Sequence, residues 1–350
     1  MHRVHLLVGI FSAFLAYAVA VSQNTLPTLT LPVETVFQFG EIGTWIENLV
    51  IRKNGHILFT TVSPNASLYQ LACPCTAKTE ATLVHHFANI TALTGIDAVT
   101  DDTFVVLGGN TSAPGTPILG TWSAWEVTFG VDAAALFIQK IVDLPGDVMP
   151  NGIALVPKHP NILLITDSKG GSILRLDRAA RTCEPVIQLP VMEPAPHSVP
   201  AIGINGLKIR DGFAYWTNSF ASTIYRTCID DDGLPCGGDD DPQNATELVA
   251  VVRQTWLDDV TFGGDGTMWL ATNPNNTVVA ISAEGKQVVV AGSGADLGLA
   301  GATALAFGRT AIDADVLYVT TSGGLALPIN GTVVEPGKVV AVNTGNWKEI

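Results

Sequence analysis

The 350-residue sequence predicts an all-β fold, a six-bladed β-propeller with four-stranded blades. Three observations carry the prediction. One pattern recurs six times: a polar residue, a short apolar strand, a turn with Gly, Asp or Pro, then a second apolar strand. The polar heads are Glu47, Thr94, Asn151, Asn205, Asp258 and Thr303, which lie 47, 57, 54, 53 and 45 residues apart, room for four short strands each. Hydrophobic residues make up 47% and charged residues 14%, enough for a large core, and no amphipathic helix of convincing length interrupts the pattern. A pair of β-sandwiches is the competing architecture, but sandwiches do not repeat at this period.

The chain begins with a secretory signal peptide over residues 1–20: basic Met1-His2-Arg3, an apolar run from Leu6 to Val19, and the cleavage site Ala18-Val19-Ala20. Residues 21–350 then form one propeller domain. The units are ENLVIRKNGHILFTT (47–61), TGIDAVTDDTFVVLG (94–108), NGIALVPKHPNILLITDS (151–168), NGLKIRDGFAYWTNS (205–219), DDVTFGGDGTMWLATN (258–273) and TALAFGRTAIDADVLYVTTS (303–322). Third strands follow at SILRLD (172–177), TIYRTCI (223–229) and TVVAIS (277–282), and fourth strands at ATLVHHF (81–87) and KQVVVAG (286–292). The early strand ETVFQF (34–39) pairs with the late strand KVVAVN (338–343), closing the ring and leaving no free edge.

Secretion agrees with six N-x-[ST] sequons, at Asn65, Asn89, Asn110, Asn244, Asn275 and Asn330, expected on surface loops as glycosylation sites. No later apolar run reaches the roughly 18 residues of a spanning helix, so no membrane span is expected. Of five cysteines, Cys228 and Cys236 bracket a turn-rich segment and are expected to pair. Cys73 and Cys75 are too close to close comfortably on each other, so one of them is expected to reach Cys183, leaving one thiol free. The net charge of −14 excludes nucleic acid as a partner and reads as solubility.

In a propeller the first strand of each blade lines the central channel. The heads then meet at one mouth, where Glu47, Asn151, Asn205 and Asp258 bring together two carboxylates and two amide oxygens. That donor set suits calcium, a hard cation that takes oxygen ligands and compensates buried carboxylates. The competing reading is a polar plug satisfied by hydrogen bonds, with the Asn-Gly pairs of PNG and ING as ordinary turns. Around the mouth lie apolar residues: Trp45 and Met149, each two positions before a head, Trp256 before Asp258, and Trp122 and Trp125 in TWSAW. With Asn48 beside Glu47, the set Trp45, Asn48, Trp122, Met149 and Trp256 reads as a pocket for a small hydrophobic metabolite. The proline-rich stretch LPVMEPAPHSVP (189–200) places His197 near the same mouth.

Glutamate from the first blade, asparagines from the third and fourth and aspartate from the fifth resemble the senescence-marker-protein/gluconolactonase family, and paraoxonases and diisopropyl fluorophosphatase share the pattern. The resemblance implies that Glu47, Asn151, Asn205 and Asp258 bind a divalent metal, usually calcium, that polarises a lactone or phosphotriester. The chain departs from the family pattern in three ways. Asn48-Leu49 replaces Gly-Pro, Asp258-Asp259 replaces Asp-Gly, and no histidine occupies a head position. A narrower resemblance, on GTWIENLVIRKNGHIL, GINGLKIRDG, ATNPNNTVV, AFGRT and VLYVTTSGGLALPINGTV, is to secreted fungal propellers of secondary metabolism. Some of these act as hetero-Diels–Alderases, joining a quinone-methide-like tropolone to a macrocyclic terpene alkene. The resemblance implies that activity here, with Asn151, Asn205, Asp259 and His197 as the polar catalytic candidates. The alternatives are a calcium-dependent lactonase or esterase, and a non-catalytic binding propeller.

Overall fold

The computed structural model describes residues 26–74, 80–113, 115–130, 135–237, 241–252, 254 and 256–347; the signal peptide lies outside the described residues. Six four-stranded antiparallel sheets form the six blades of a propeller. The only helical element among the described residues is a single 3-10 turn at Pro190–Met192. The inner strands are Trp45–Ile51, Ala92–Ala98, Pro150–Leu155, Ile204–Arg210, Leu257–Phe262 and Ala302–Phe307. Blades one to five are consecutive meanders. The sixth is completed by Val33–Gln38, which pairs antiparallel to Lys338–Asn343, so both ends of the ring are fastened as expected.

All six heads share one backbone device. The pairing of inner and second strands shifts register across the head each time, between Ile46 and Leu49, Leu93 and Ile96, Pro150 and Ile153, Ile204 and Leu207, Leu257 and Val260, and Ala302 and Leu305. A bulge bends the strand and re-aims side chains. It also leaves the N–H of the next residue without a ladder partner. A threonine of the second strand accepts that N–H: Thr60 from Asn48 at 3.2 Å, Thr166 from Gly152 at 2.8 Å, Thr217 from Gly206 at 2.9 Å and Thr320 from Ala304 at 3.2 Å.

Three of these hydroxyls then donate to the head carbonyl of the following blade: Thr60 to Thr94 at 2.7 Å, Thr166 to Asn205 at 2.5 Å and Thr217 to Asp258 at 2.7 Å. At two other junctions the head threonines take over, Thr94 donating to the Pro150 carbonyl at 3.0 Å and Thr303 to that of Ile46 at 2.8 Å. The last junction is bridged by the Gly301 N–H on Asn276 Oδ1 at 2.7 Å. Every blade is thereby stitched to its neighbour near the axis.

The same geometry revises the turn reading of the Asn-Gly pairs. Neither Gly152 nor Gly206 has a positive φ. Glycine is needed at 206 because a Cβ there would lie 2.6 Å from the Asp259 Cα and 2.8 Å from the Asp258 carbonyl oxygen. Between blades the core is apolar; Trp269, Leu305 and Leu317 belong to one such buried cluster. Trp125 belongs to another, its ring 5.5 Å from that of Phe87. The Cys228–Cys236 disulfide forms as expected, with Cα atoms 5.4 Å apart. The expected bridge to Cys183 does not form: Cys183 is free, Cys73 is disulfide-bonded, and Cys75 lies outside the described residues. Topology forbids the expected pairing, because Cys183 sits on the outer strand of blade three and Cys73 follows the third strand of blade one.

The Thr217→Val substitution keeps the shape but orphans a buried N–H and a buried carbonyl, each worth roughly 1–3 kcal/mol when unsatisfied. Urea denaturation is expected to show a loss of about 2 kcal/mol or more; a loss below about 0.5 kcal/mol would remove the stitch from the account of ring stability.

Candidate active site

Because each blade is an antiparallel meander whose inner strand starts at the heads, the connections from second to third strand, and from the outer strand to the next blade, lie on the head side. There a cavity of about 190 Å³ opens on the channel. Its floor is five of the six heads: Glu47, Thr94, Asn151, Asn205 and Asp258. Trp45, Trp122, Met149 and Trp256 wall it. The Trp122 indole lies over Gly109, where a Cβ would come within 2.4 Å of the ring. Trp256 packs on Phe220 with ring centroids 4.9 Å apart and holds a left-handed φ of 51°, an unusual conformation for a bulky residue.

Two segments roof the cavity. The long hairpin of Thr103–Ala113 and Thr116–Phe129 in blade two brings in Ala113, Gly115 and Thr116. The proline-rich loop before blade four brings in Val199, Pro200 and Ile202. They meet: a Cβ on Gly115 would touch Pro200 Cγ at 3.4 Å. A larger cavity, about 560 Å³, opens beside Lys208 and Arg309 at the other end of the channel, away from the heads.

The floor is buried, and its polar side chains are hydrogen-bonded in three groups. Trp45 Nε1 donates to Glu47 Oε2 at 2.5 Å and Asn151 Nδ2 to Glu47 Oε1 at 3.3 Å. Asn273 Nδ2 donates to Asp258 Oδ2 at 3.0 Å. Asn205 Nδ2 donates to Ser219 Oγ at 2.9 Å, which itself donates to the Leu257 carbonyl at 2.8 Å. Burial pushes the Glu47 carboxyl up to about 7, against the lowering effect of its two donors. Asp258 is raised well above the usual carboxylate range, by burial first and the neighbouring Glu47 charge second.

Three sequence candidates fall outside this floor. Asp259 is buried beneath it and receives Lys208 Nζ at 3.1 Å, so of the two adjacent aspartates Asp258 takes the cavity position. Asn48 lies one step past the bulge and folds its Oδ1 onto the Leu49 N–H at 2.9 Å. His197 is exposed, and the cavity is lined instead by its loop neighbours Val199 and Pro200. Sequence reading missed Val62, Leu325 and Ala326 on the wall and Ser219 and Asn273 behind the floor. One signal was available: Val62, Ser219 and Asn273 each follow a second-strand residue by two positions, in TTV, TNS and ATN.

The donor chemistry fits a hard cation. Asn205 Oδ1 is buried without a hydrogen-bond partner, and among the described residues no basic side chain is bonded to the Glu47 and Asp258 carboxyls, Lys208 pairing with Asp259. Among the described residues no three His, Cys, Asp or Glu side chains cluster as a metal site, so an ion would rest on these two carboxylates and amide oxygens.

No family model matches the chain. A Phoma sp. protein described as a "Putative hetero-Diels-Alderase" is 33% identical over 374 residues, spanning 99% of this chain and 100% of that one. The chain belongs to this hetero-Diels-Alderase-like family. A Sarocladium schorii protein of the same description (asR5) is 28% identical over 86% of this chain and 81% of its own length. Among solved structures, the calcium-binding protein regucalcin from Agrobacterium tumefaciens superposes with a TM-score of 0.59 at 14% identity, covering 91% of this chain and 97% of that one. The family member therefore shares its fold with six-bladed propellers of the gluconolactonase type. No helix among its described residues is long and apolar enough to cross a membrane.

The raised Glu47 has a consequence for stability. The unfolded chain loses this proton near 4.5 while the folded chain holds it to about 7, so stability falls as pH rises between those values and levels off above. At about 1.4 kcal/mol per pKa unit the fall amounts to about 3 kcal/mol. Melting temperatures of metal-free protein from pH 4 to 8 are expected to show a decline to which the buried Asp258 also contributes, and Glu47→Gln to make it shallower; an equally steep decline in the variant would locate the effect elsewhere.

Proposed function

We propose that the chain is a secreted enzyme of fungal secondary metabolism that promotes a hetero-Diels–Alder cycloaddition between a tropolone-type quinone methide and a terpene alkene. One observation carries the reading: a roofed, largely apolar cavity has its carboxyl and amide groups gathered on the floor, in a chain similar along nearly its whole length to a protein described by that reaction. Ring closure forms one C–C and one C–O bond and moves no proton or electron in or out. The protein need only align the partners and stabilise charge at one oxygen.

Trp45, Trp122, Met149 and Trp256 hold the apolar partners face to face, and alignment alone removes roughly several kcal/mol of barrier. The carbonyl oxygen of the heterodiene sits at the floor. Glu47, held in its acid form up to about pH 7, donates to that oxygen and stabilises the charge that builds there. Asn151 orients Glu47, and Asn205 and Asp258 complete the polar wall. A calcium ion held by Glu47, Asn151, Asn205 and Asp258 would supply Lewis acidity to the same oxygen.

The unpartnered Asn205 Oδ1 favours a second reading, a calcium-dependent lactonase. That reaction also needs a base to activate water. The two sequence candidates for it stand off the cavity, Asp259 paired with Lys208 and His197 exposed. The third reading is a propeller that binds the metabolite without transforming it.

Purified protein, given a quinone-methide precursor and a macrocyclic terpene alkene, is expected to accelerate formation of one stereoisomer of the adduct. Trp122→Ala is expected to slow it about 10-fold or more, equivalent to about 1.4 kcal/mol. Absence of acceleration, together with lactone hydrolysis abolished by chelation and by Asp258→Asn, would replace this reading with the second. Binding without either turnover would leave the third.

The pH profile of cycloaddition separates the roles of Glu47. If its proton is used, the rate falls as pH rises through about 7. A rate that climbs across the same interval would assign the carboxylate form to the reaction.

A further inference from the structure

The meander topology sorts the sequons by face. Asn65, Asn275 and Asn330 lie between second and third strands, Asn89 on the connection from blade one to blade two, and Asn110 near the end of the second strand of blade two. All five are on the side of the cavity mouth. Only Asn244, between a third and a fourth strand, lies on the opposite face. Asn65, Asn89, Asn330 and Asn244 are exposed, whereas Asn110 and Asn275 are half-buried.

The mouth face is also apolar. Of fourteen exposed large hydrophobic residues among those described, five fall on its connections, Ile42, Val191, Val199, Leu297 and Val333, and two more, Ile118 and Leu119, on the blade-two hairpin at that side. Among the described residues the opposite face has Leu234 and Ile312 on its connections and Val33 and Phe137 at strand starts. A rim of this kind invites self-association or attachment to a larger partner. An anionic membrane is a poor occupant for a chain with a net charge of −14.

We propose that N-linked glycans on Asn65, Asn89 and Asn330 form a partial collar along the blade-six, blade-one and blade-two side of the cavity mouth. The collar covers the apolar residues of that side, Ile42, Ile118, Leu119 and Val333, and keeps macromolecules and second copies of the chain from docking there. Three features converge on it: the acceptor motifs, their exposure, and their placement on the face whose apolar residues lack cover. The proposal rests on the secretory reading of residues 1–20 and not on the reaction, so the two can fail separately.

The test uses full-length chain secreted from a glycosylating eukaryotic host. Glycopeptide mass spectrometry is expected to find glycan at Asn65, Asn89 and Asn330. Light scattering is expected to show the triple variant Asn65→Gln, Asn89→Gln, Asn330→Gln shifted to larger species than wild type, with Asn244→Gln unshifted. Should the triple variant fail to be secreted, enzymatic removal of glycans from folded wild-type protein serves instead, with the same shift expected. Unmodified asparagines at the three sites, or a stripped protein of unchanged size, would overturn the collar.

Discussion

The constraint on which the structure depends is a threonine hydroxyl with two duties. It accepts the N–H that a bulge has released in its own blade, and it donates to the head carbonyl of the next. Neither group has a ladder partner, and both are buried close to the axis, where an unsatisfied amide or carbonyl costs roughly 1–3 kcal/mol. The bulge that turns a head side chain toward the channel would therefore be unfavourable on its own. It becomes tolerable because the same hydroxyl satisfies both groups and joins two sheets. Propeller blades bury apolar faces against each other, which resists separation but does not fix how far one sheet slides past the next. The directional bonds supply that missing register, and the ring of heads meets at one level as a result.

The bulge also separates the charges into two layers. Glu47 and Asp258 stand on the cavity floor, while Asp259, one residue further along the same strand, drops beneath it to meet Lys208. With that lysine bonded to the lower layer, no basic side chain among the described residues is bonded to the upper carboxyls. Burial raises both toward the protonated form. A floor that can present either an acid proton or oxygen ligands follows from where one lysine is placed.

The period, the polar heads and the closing pair of strands were legible in the sequence, because each reflects a pattern that recurs with a fixed spacing. The vertical position of a residue was not. Asn48 and Asp259 adjoin floor residues in sequence, yet the bulge carries them out of the cavity, and no periodicity signals that step. Trp122 and Trp125 stand three residues apart in TWSAW, and the pocket read from the sequence takes in only the first. The strand sends the first to the cavity wall and the second to the Phe87 interface. The Asn-Gly pairs looked like turns, whereas Gly206 is required by the approach of the next blade. His197 was misplaced for a different reason: sequence gave the loop its place near the mouth, but not the conformation that turns Val199 and Pro200 inward and leaves the imidazole exposed.

The roof bears on which chemistry the cavity suits. Hydrolysis needs a water molecule, a base beside it and a route for a polar product to leave. Cycloaddition of two apolar reactants gains from the opposite conditions, since water excluded from the cavity strengthens a single hydrogen bond to the developing oxyanion. The blade-two hairpin and the Val199–Pro200 segment meet above the floor, and the surfaces they present are largely apolar. The hairpin turns toward that segment at Gly115, whose φ of +73° favours glycine. A side chain there is disfavoured by that φ, and burial beneath the roof is what raises the floor carboxyls toward the protonated form. Access, electrostatics and alignment are thus linked through the roof, and its apolar surface is the feature that distinguishes this mouth from an open polar channel.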